Sequence, residues 1–218
     1  MHLPPLIPPA SITPYLSCSG VISCTNAEIR TLARSITANG IDDIDRARIL
    51  YTWVRDSIAH SVDAGQTNLF WNASDVLTAG HGLCFGKSHL LVALCRVLGI
   101  PAGLCYQRVR REDGSFVLHG LCAVYYEQID KWVRLDPRGN KPGISAEFSI
   151  DSEQIAYEPS YDGEWLDQHI YPEPWHEVTH LVDVSRDVLQ FIENSGGIRS
   201  PPVNQVRIQS IGSMQCIT

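Results

Sequence analysis

One stretch constrains this chain more than any other: Gly82-Leu83-Cys84-Phe85-Gly86-Lys87-Ser88-His89, followed by a leucine-rich run and Gly99-Ile100-Pro101. Leu90, Leu91, Leu94 and Leu98 recur at helical spacing and mark a buried face. Gly99 stands where a left-handed residue ends a helix, and Pro101 forbids continuation, so the spacing predicts a helix from about Cys84 to Leu98. Cys84 therefore opens a buried helix. The unpaired amides and positive end of the first turn favour a thiolate, and the N–H of Cys84 can point at a developing oxyanion. The small residues Gly82 and Gly86 would let another chain approach the sulfur.

Upstream, Ala27, Ile29, Leu32, Ala33 and Ile36 predict a first helix stopped by Asn39-Gly40. A second is expected with Asp45 as its cap and Ala47, Leu50, Trp53, Val54 and Ile58 on one face, ending near His60. Residues 61–83 carry no sustained period and read as a loop. Downstream come three runs of strand character, Ala102 to Val109, Phe116 to Tyr126 and Lys131 to Leu135, which suggest an antiparallel meander. Residues 158–174 read as a long acidic surface excursion that could form a lid or fill a cleft, and Val178 to Ile192 as helical. The expected organisation is a proline-rich N-terminal strap over 1–25, one domain over 26–195 and a weakly patterned tail over 196–218.

A thiol nucleophile needs a base that is adjacent in space, not in sequence. His119 sits in an otherwise apolar and aromatic strand, and Gly120 beside it suggests a close backbone approach. Asp136 ends the next strand, and Pro137 stops the ladder directly after it. With a hairpin turn centred near 127 or 128, His119 and Asp136 should lie level on one face. A carboxylate there accepts the imidazole N–H, fixes the tautomer and stabilises the imidazolium. His81 is the competing base, and His89 should point away from the first turn of its helix. A second oxyanion donor is expected upstream of Cys84, with Trp71, Asn72 and Ser74 as candidates and His81 as a further cleft residue.

These residues, in this order, resemble the core motif of the transglutaminase-like superfamily, in its bacterial stand-alone form. There the nucleophilic Cys opens a helix, a Gly-Ile-Pro segment enters the sheet, a His lies on one strand and an Asp, often Asp-Pro, ends the next. Cys84, Gly99-Ile100-Pro101, His119 and Asp136-Pro137 match those positions, and Ala47 to Ile58 is similar to the helix that precedes the core. The resemblance spans roughly 26–140. Where the family often has His-Ala-Trp, this chain has His119-Gly120-Leu121, and Arg138 follows Asp136-Pro137 where Thr is frequent. The resemblance implies an α+β papain/transglutaminase-like fold, with the nucleophile helix packed against an antiparallel β-sheet. It also implies a Cys84-His119-Asp136 triad acting on a peptide, protein or small amide. The family includes transglutaminases, peptidases, other amidases and members that have lost activity, so hydrolysis, amine transfer, acyl transfer from a thioester donor and a catalytically silent binding module remain open.

Composition narrows the partners. The net charge of -7, with Arg108 to Arg111 as the one dense basic run, disfavours nucleic acid, and that run reads as a solvated turn. No stretch approaches a membrane span, and the first twenty residues lack the basic and unbroken apolar parts of a secretory signal. The seven cysteines include no CxxC pair, which argues against a disulfide framework and a zinc ribbon and favours a reducing cytoplasm. Cys95, Cys105 and Cys122 read as buried apolar thiols. The chemistry calls for no cofactor and no metal.

Overall fold

The fold is taken from a computed structural model that describes residues 3–202. In chain order the elements are α1 (Ala27–Ile36), α2 (Asp43–Ser57), β1 (Ala59–His60), α3 (Ala73–Ala79), β2 (His81–Gly82) and α4 (Cys84–Val97). They continue with β3 (Ala102–Arg110), β4 (Phe116–Tyr126), β5 (Lys131–Leu135), β6 (Trp165–Leu166), α5 (His176–Val184) and α6 (Val188–Ser195). Helices on one side and an antiparallel sheet on the other give the expected α+β class.

Local chemistry explains the helix starts. Asn26 caps α1 by accepting from the amides of Glu28 and Ile29. The cap of α2 is Asp42, not Asp45: Asp42 accepts from the Asp45 amide, while Asp45 reaches back to the Ile41 amide. Two acidic residues three apart present the same sequence signal, and the first of them took the extended cap conformation. The expected loop over 61–83 contains α3, whose seven residues bury only Ala73 and Val76 and so leave almost no periodic trace. Gly80 ends it at φ 71°. The loop is closed by the parallel pairing of β1 with β2, which sets His60 beside Gly82.

Helix α4 is buried on every side from Cys84 to Arg96, not on one face alone. It packs against α1, α2 and α3 on one side and β3 and β4 on the other, so it has no solvent face to be polar. Its charged residues are met by carbonyls instead. The ammonium of Lys87 donates to Arg55 O at 3.0 Å and Ile58 O at 2.5 Å, at the carbonyl-rich end of α2. The guanidinium of Arg96 donates to the carbonyls of Ser17, Ala102 and Pro172.

The sheet runs β5-β4-β3-β6, antiparallel throughout. Residues 158–174 are therefore not a free excursion: Trp165 and Leu166 pair with Arg108 and Gln107, and Ile170 and Tyr171 are buried. Nor is the Arg108–Arg111 run a solvated turn. Arg108 and Arg110 belong to β3, and the Arg108 guanidinium lies 3.6 Å from the Phe116 ring centre.

The proline-rich segment is strapped down. Pro4 O accepts from Arg134, Pro5 O from the Gln168 side chain, and the Ile7 amide donates to Gln168 O. The strap also holds a 3-10 turn, Thr13–Leu16, where only extended chain was expected, with Tyr15 buried edge-on against Trp132. Cys18 and Cys24 form a disulfide, which runs against the expectation drawn from the cysteine pattern and removes the premise for a reducing compartment. A six-residue separation carries none of the usual framework spacings. Among the described residues no helix is long and apolar enough to cross a membrane. The tail beyond residue 202, with Cys216, lies outside the described residues.

Candidate functional site

Three elements meet at the tip of α4. Leu83 is its extended N-cap with no side-chain cap bond, so the first-turn amides, that of Cys84 included, have no intrahelical acceptor. Strand β4 runs past this tip, and the pairing of β4 with β5 stops at Cys122 opposite Leu135. Continued, the same register would set Pro137, which has no N–H, opposite Gly120. The Gly120 amide is thereby released from the ladder and donates to Cys84 Sγ at 3.3 Å. Gly120 is required for this approach, because a Cβ there would lie 2.7 Å from the Phe85 ring.

The hairpin register differs from the expected one. A 3-10 turn at Glu127–Ile129 with Asp130 at φ 47° lengthens the connection, so Asp136 falls opposite Leu121 rather than His119. A two-residue offset leaves the face unchanged, and the diagonal is within reach of a long side chain. His119 Nε2 lies 2.8 Å from Asp136 Oδ2, and the imidazole shares the cavity wall with Cys84, near enough for the charges of the two to act on each other. All three side chains are buried.

Asp136 is fixed from three sides. Its carboxylate accepts from His119, from the Arg138 amide at 3.1 Å and from the Ala156 amide at 2.9 Å. Burial works to raise its pKa, but the His119 charge and these hydrogen bonds outweigh it and hold the group below the ordinary carboxylate value. For His119, burial disfavours the cation, yet the charges of Asp136 and Cys84 on either side win and raise its pKa well above the usual value. With Nε2–H given to Asp136, the other ring nitrogen is the one free to take a thiol proton. The Tyr157 ring stands edge-on to the imidazole at 5.0 Å, and its carbonyl is held by the Gln107 side chain.

A cavity of about 530 Å³ opens onto Cys84 and His119. Apolar walls come from Val109, Val117 and Phe191, and polar lining from His60, Arg138, Lys141 and Tyr157. None of residues 158–174 lines it, so that segment does not cover the sulfur.

The expected oxyanion residues are placed elsewhere. Trp71 uses its carbonyl to accept from His89 Nδ1 at 2.7 Å. Asn72 donates to Asp75, and the Ser74 amide donates to the Ser23 hydroxyl. His81 is buried, with Nδ1 3.0 Å from Ser61 Oγ and its ring against Phe70. None of the four lines the cavity, and Gly86 serves close packing against Val76 and the Phe70 carbonyl rather than access to the sulfur. The polar side chain upstream of Cys84 that does line it is His60. Burial, helped by the Arg138 charge, pushes its pKa down to about 3, so it is neutral at pH 7. His60 was missed because its placement depends on β1 pairing with β2, and two-residue strands leave no sequence pattern. Among the described residues no three His, Cys, Asp or Glu side chains gather to hold a metal.

The family described as the transglutaminase-like superfamily matches residues 30–137. A structure of a candidate cysteine protease from Cytophaga hutchinsonii is 22% identical at a TM-score of 0.50, covering 61% of this chain and 45% of that one. The periplasmic domain of TgpA from Pseudomonas aeruginosa is 18% identical at a TM-score of 0.44, covering 60% of this chain and 49% of that one. The chain thus spans less than half the length of either structure. No curated protein matches the sequence.

Proposed function

Given that the chain belongs to the transglutaminase-like superfamily, we propose that it is a cysteine hydrolase that cleaves amide bonds through Cys84, His119 and Asp136. The observation that carries this reading is the His119–Asp136 hydrogen bond set at the cavity that Cys84, at the tip of α4, and His119 line together. In the acylation step the Cys84 thiol gives its proton to His119, and the sulfur forms a bond to the carbonyl carbon. The negative charge passes to the carbonyl oxygen, where the Cys84 N–H stabilises it, with neutral His60 across the cavity as the second donor. His119 then protonates the amide nitrogen as the C–N bond breaks, leaving a thioester. Water gives a proton to His119 and attacks that thioester. The C–S bond breaks, and the proton returns to sulfur.

Asp136 holds the imidazole in the tautomer this sequence needs and stabilises its cation. The substrate in this reading is a peptide, a protein or a small amide. Water is the acceptor because it needs no binding surface of its own, whereas amine transfer would need a second one.

Selective alkylation tests the proposal. Cys95, Cys105 and Cys122 are fully buried; burial pushes the first two up to about 12 and raises Cys122 well above the usual value, so they are poor competitors. Iodoacetamide near neutral pH, followed by peptide mapping, should mark Cys84 first, and His119→Ala should abolish the preference. Equal labelling of Cys84 in both proteins, at the rate of an ordinary thiol, would refute the enzyme reading in favour of a silent binding module.

A further inference from the structure

We propose that the cavity beside Cys84 selects an anionic substrate, one bearing a carboxylate within a few bonds of the carbonyl attacked, and that Lys141 and Arg138 recognise it. This rests on the thiol-enzyme reading above and adds the chemical class of its substrate.

The argument is a charge count around the cavity. At one rim, Arg110 and Arg111 are matched in number by Glu112 and Asp113 of the same turn. At the other end two cations share one carboxylate. Arg138 grips both oxygens of Asp63, and Lys141 Nζ donates to Oδ1 of the same group at 2.8 Å. Behind that wall the ammonium of Lys87, which does not line the cavity, is already offset by Asp136 and Asp56. A proton moved between Cys84 and His119 leaves the sum of that pair unchanged. The two cations that line the cavity at this end thus stand against the one carboxylate of Asp63, in a protein whose overall charge is -7.

The surplus is also reachable. Arg138 is held in place by its bidentate pair, whereas the Lys141 side chain keeps 39% of its exposure. An incoming carboxylate can take a share of Lys141 without displacing Arg138. Both residues line the same cavity as the sulfur and the imidazole, so the anion is held while the adjacent carbonyl meets Cys84. The apolar walls of Val109, Val117 and Phe191 leave the rest of such a substrate in a water-poor groove, where the field of one unmatched charge is stronger than in bulk solvent.

Paired alkylation of the intact protein reads this out without knowledge of the natural substrate. Iodoacetate and iodoacetamide differ by one negative charge, and the ratio of their rates at Cys84 is divided by the same ratio for thiols of the denatured chain. The normalised ratio should exceed one by roughly threefold to tenfold at low salt and fall as salt is added. Because the His119 cation itself attracts iodoacetate, the variants decide. Lys141→Gln should lower the ratio, Asp63→Asn should raise it, and the exposed, distant Arg34→Gln should leave it alone.

Opposite shifts in the two cavity variants cannot come from a general loss of folding, which would move both the same way. A ratio insensitive to Lys141 and Asp63, with Cys84 still preferred by iodoacetamide, overturns the anion inference and leaves the enzyme reading standing. Loss of that preference in the unaltered protein overturns both. Fluorogenic peptides with Glu or Gln beside the cleaved bond, and with free or amidated C-termini, then separate a side-chain carboxylate from a terminal one. Equal cleavage of all four overturns the proposal.

Discussion

The amide of Gly120 reaches to 3.3 Å from the sulfur of Cys84, a contact that exists because strand β5 ends before it can pair with that amide. The contact makes Gly120→Ala a sharp test of how the nucleophile is held. The new Cβ would sit 2.7 Å from Phe85 Cδ1 and 3.1 Å from Phe85 Cα, so the first turn of α4 must move away. Overpacking of this kind costs about 1–3 kcal/mol, which a urea midpoint will register. The displaced sulfur should also move away from His119, and Cys84 alkylation should slow by on the order of tenfold or more.

Asp136→Asn separates orientation from charge. The amide fits the same space and its one oxygen can still accept from His119 and the Ala156 amide, at the loss of the Arg138 bond, but it no longer offsets the burial that disfavours the His119 cation. The pKa of His119 should therefore fall. Protonated His119 gives up its proton to the leaving amine, so the alkaline limb of the pH–rate profile should move to lower pH, and turnover should drop by about 10²–10⁴. The pair's contribution to stability follows from the same directions. Because His119 is raised, its share is full below the unfolded value of 6.5 and is lost as pH rises through the folded one. Because Asp136 is lowered, its share is full above 3.8 and is lost as pH falls through the folded value.

His60 carries a third prediction. As a neutral donor facing the cavity, it should matter to the oxyanion and little to substrate binding. His60→Ala should lower kcat by roughly 10²–10³ with KM nearly unchanged. A matched rise in KM with constant kcat would assign His60 to uniform substrate binding instead.

What could be read from sequence, and what could not, divides along physical lines. The span of α4, the three long strands and the residues at the α4 tip were legible because long periodic elements end at strong punctuation such as Gly99, Pro101 and Pro137. The His119–Asp136 offset was not, since register depends on how many residues the turn absorbs, and the connection over 127–130 took two more than a two-residue hairpin would. Only the period of two saved the face assignment. His60, Arg138 and Lys141 were invisible as cavity residues because tertiary pairing alone assembles them: β1 on β2 places His60, and Asp63 gathers the two cations. Trp71 drew attention as an aromatic near the nucleophile, yet its visible role is to offer a carbonyl to His89.

That carbonyl leads to the last prediction, which concerns acid stability. His89 is fully buried in α4, and its Nδ1 lies 2.7 Å from Trp71 O, which can only accept, so the ring carries its proton on Nδ1 and is otherwise enclosed. Burial lowers its pKa from 6.5 to about 4. A base whose folded value is depressed binds fewer protons in the native state than in the unfolded chain across that interval, so stability must fall as pH drops from 6.5 towards 4. At about 1.4 kcal/mol per unit, His89 accounts for on the order of 3 kcal/mol. His60, lowered to about 3, pulls the same way. His89→Gln keeps a donor for the Trp71 carbonyl but cannot titrate. Urea unfolding between pH 4 and 7 should therefore show a steep loss of stability in the parent protein and a slope shallower by nearly one proton in the variant. Identical slopes would mean that His89 takes up its proton without leaving the core, contrary to the burial that encloses it.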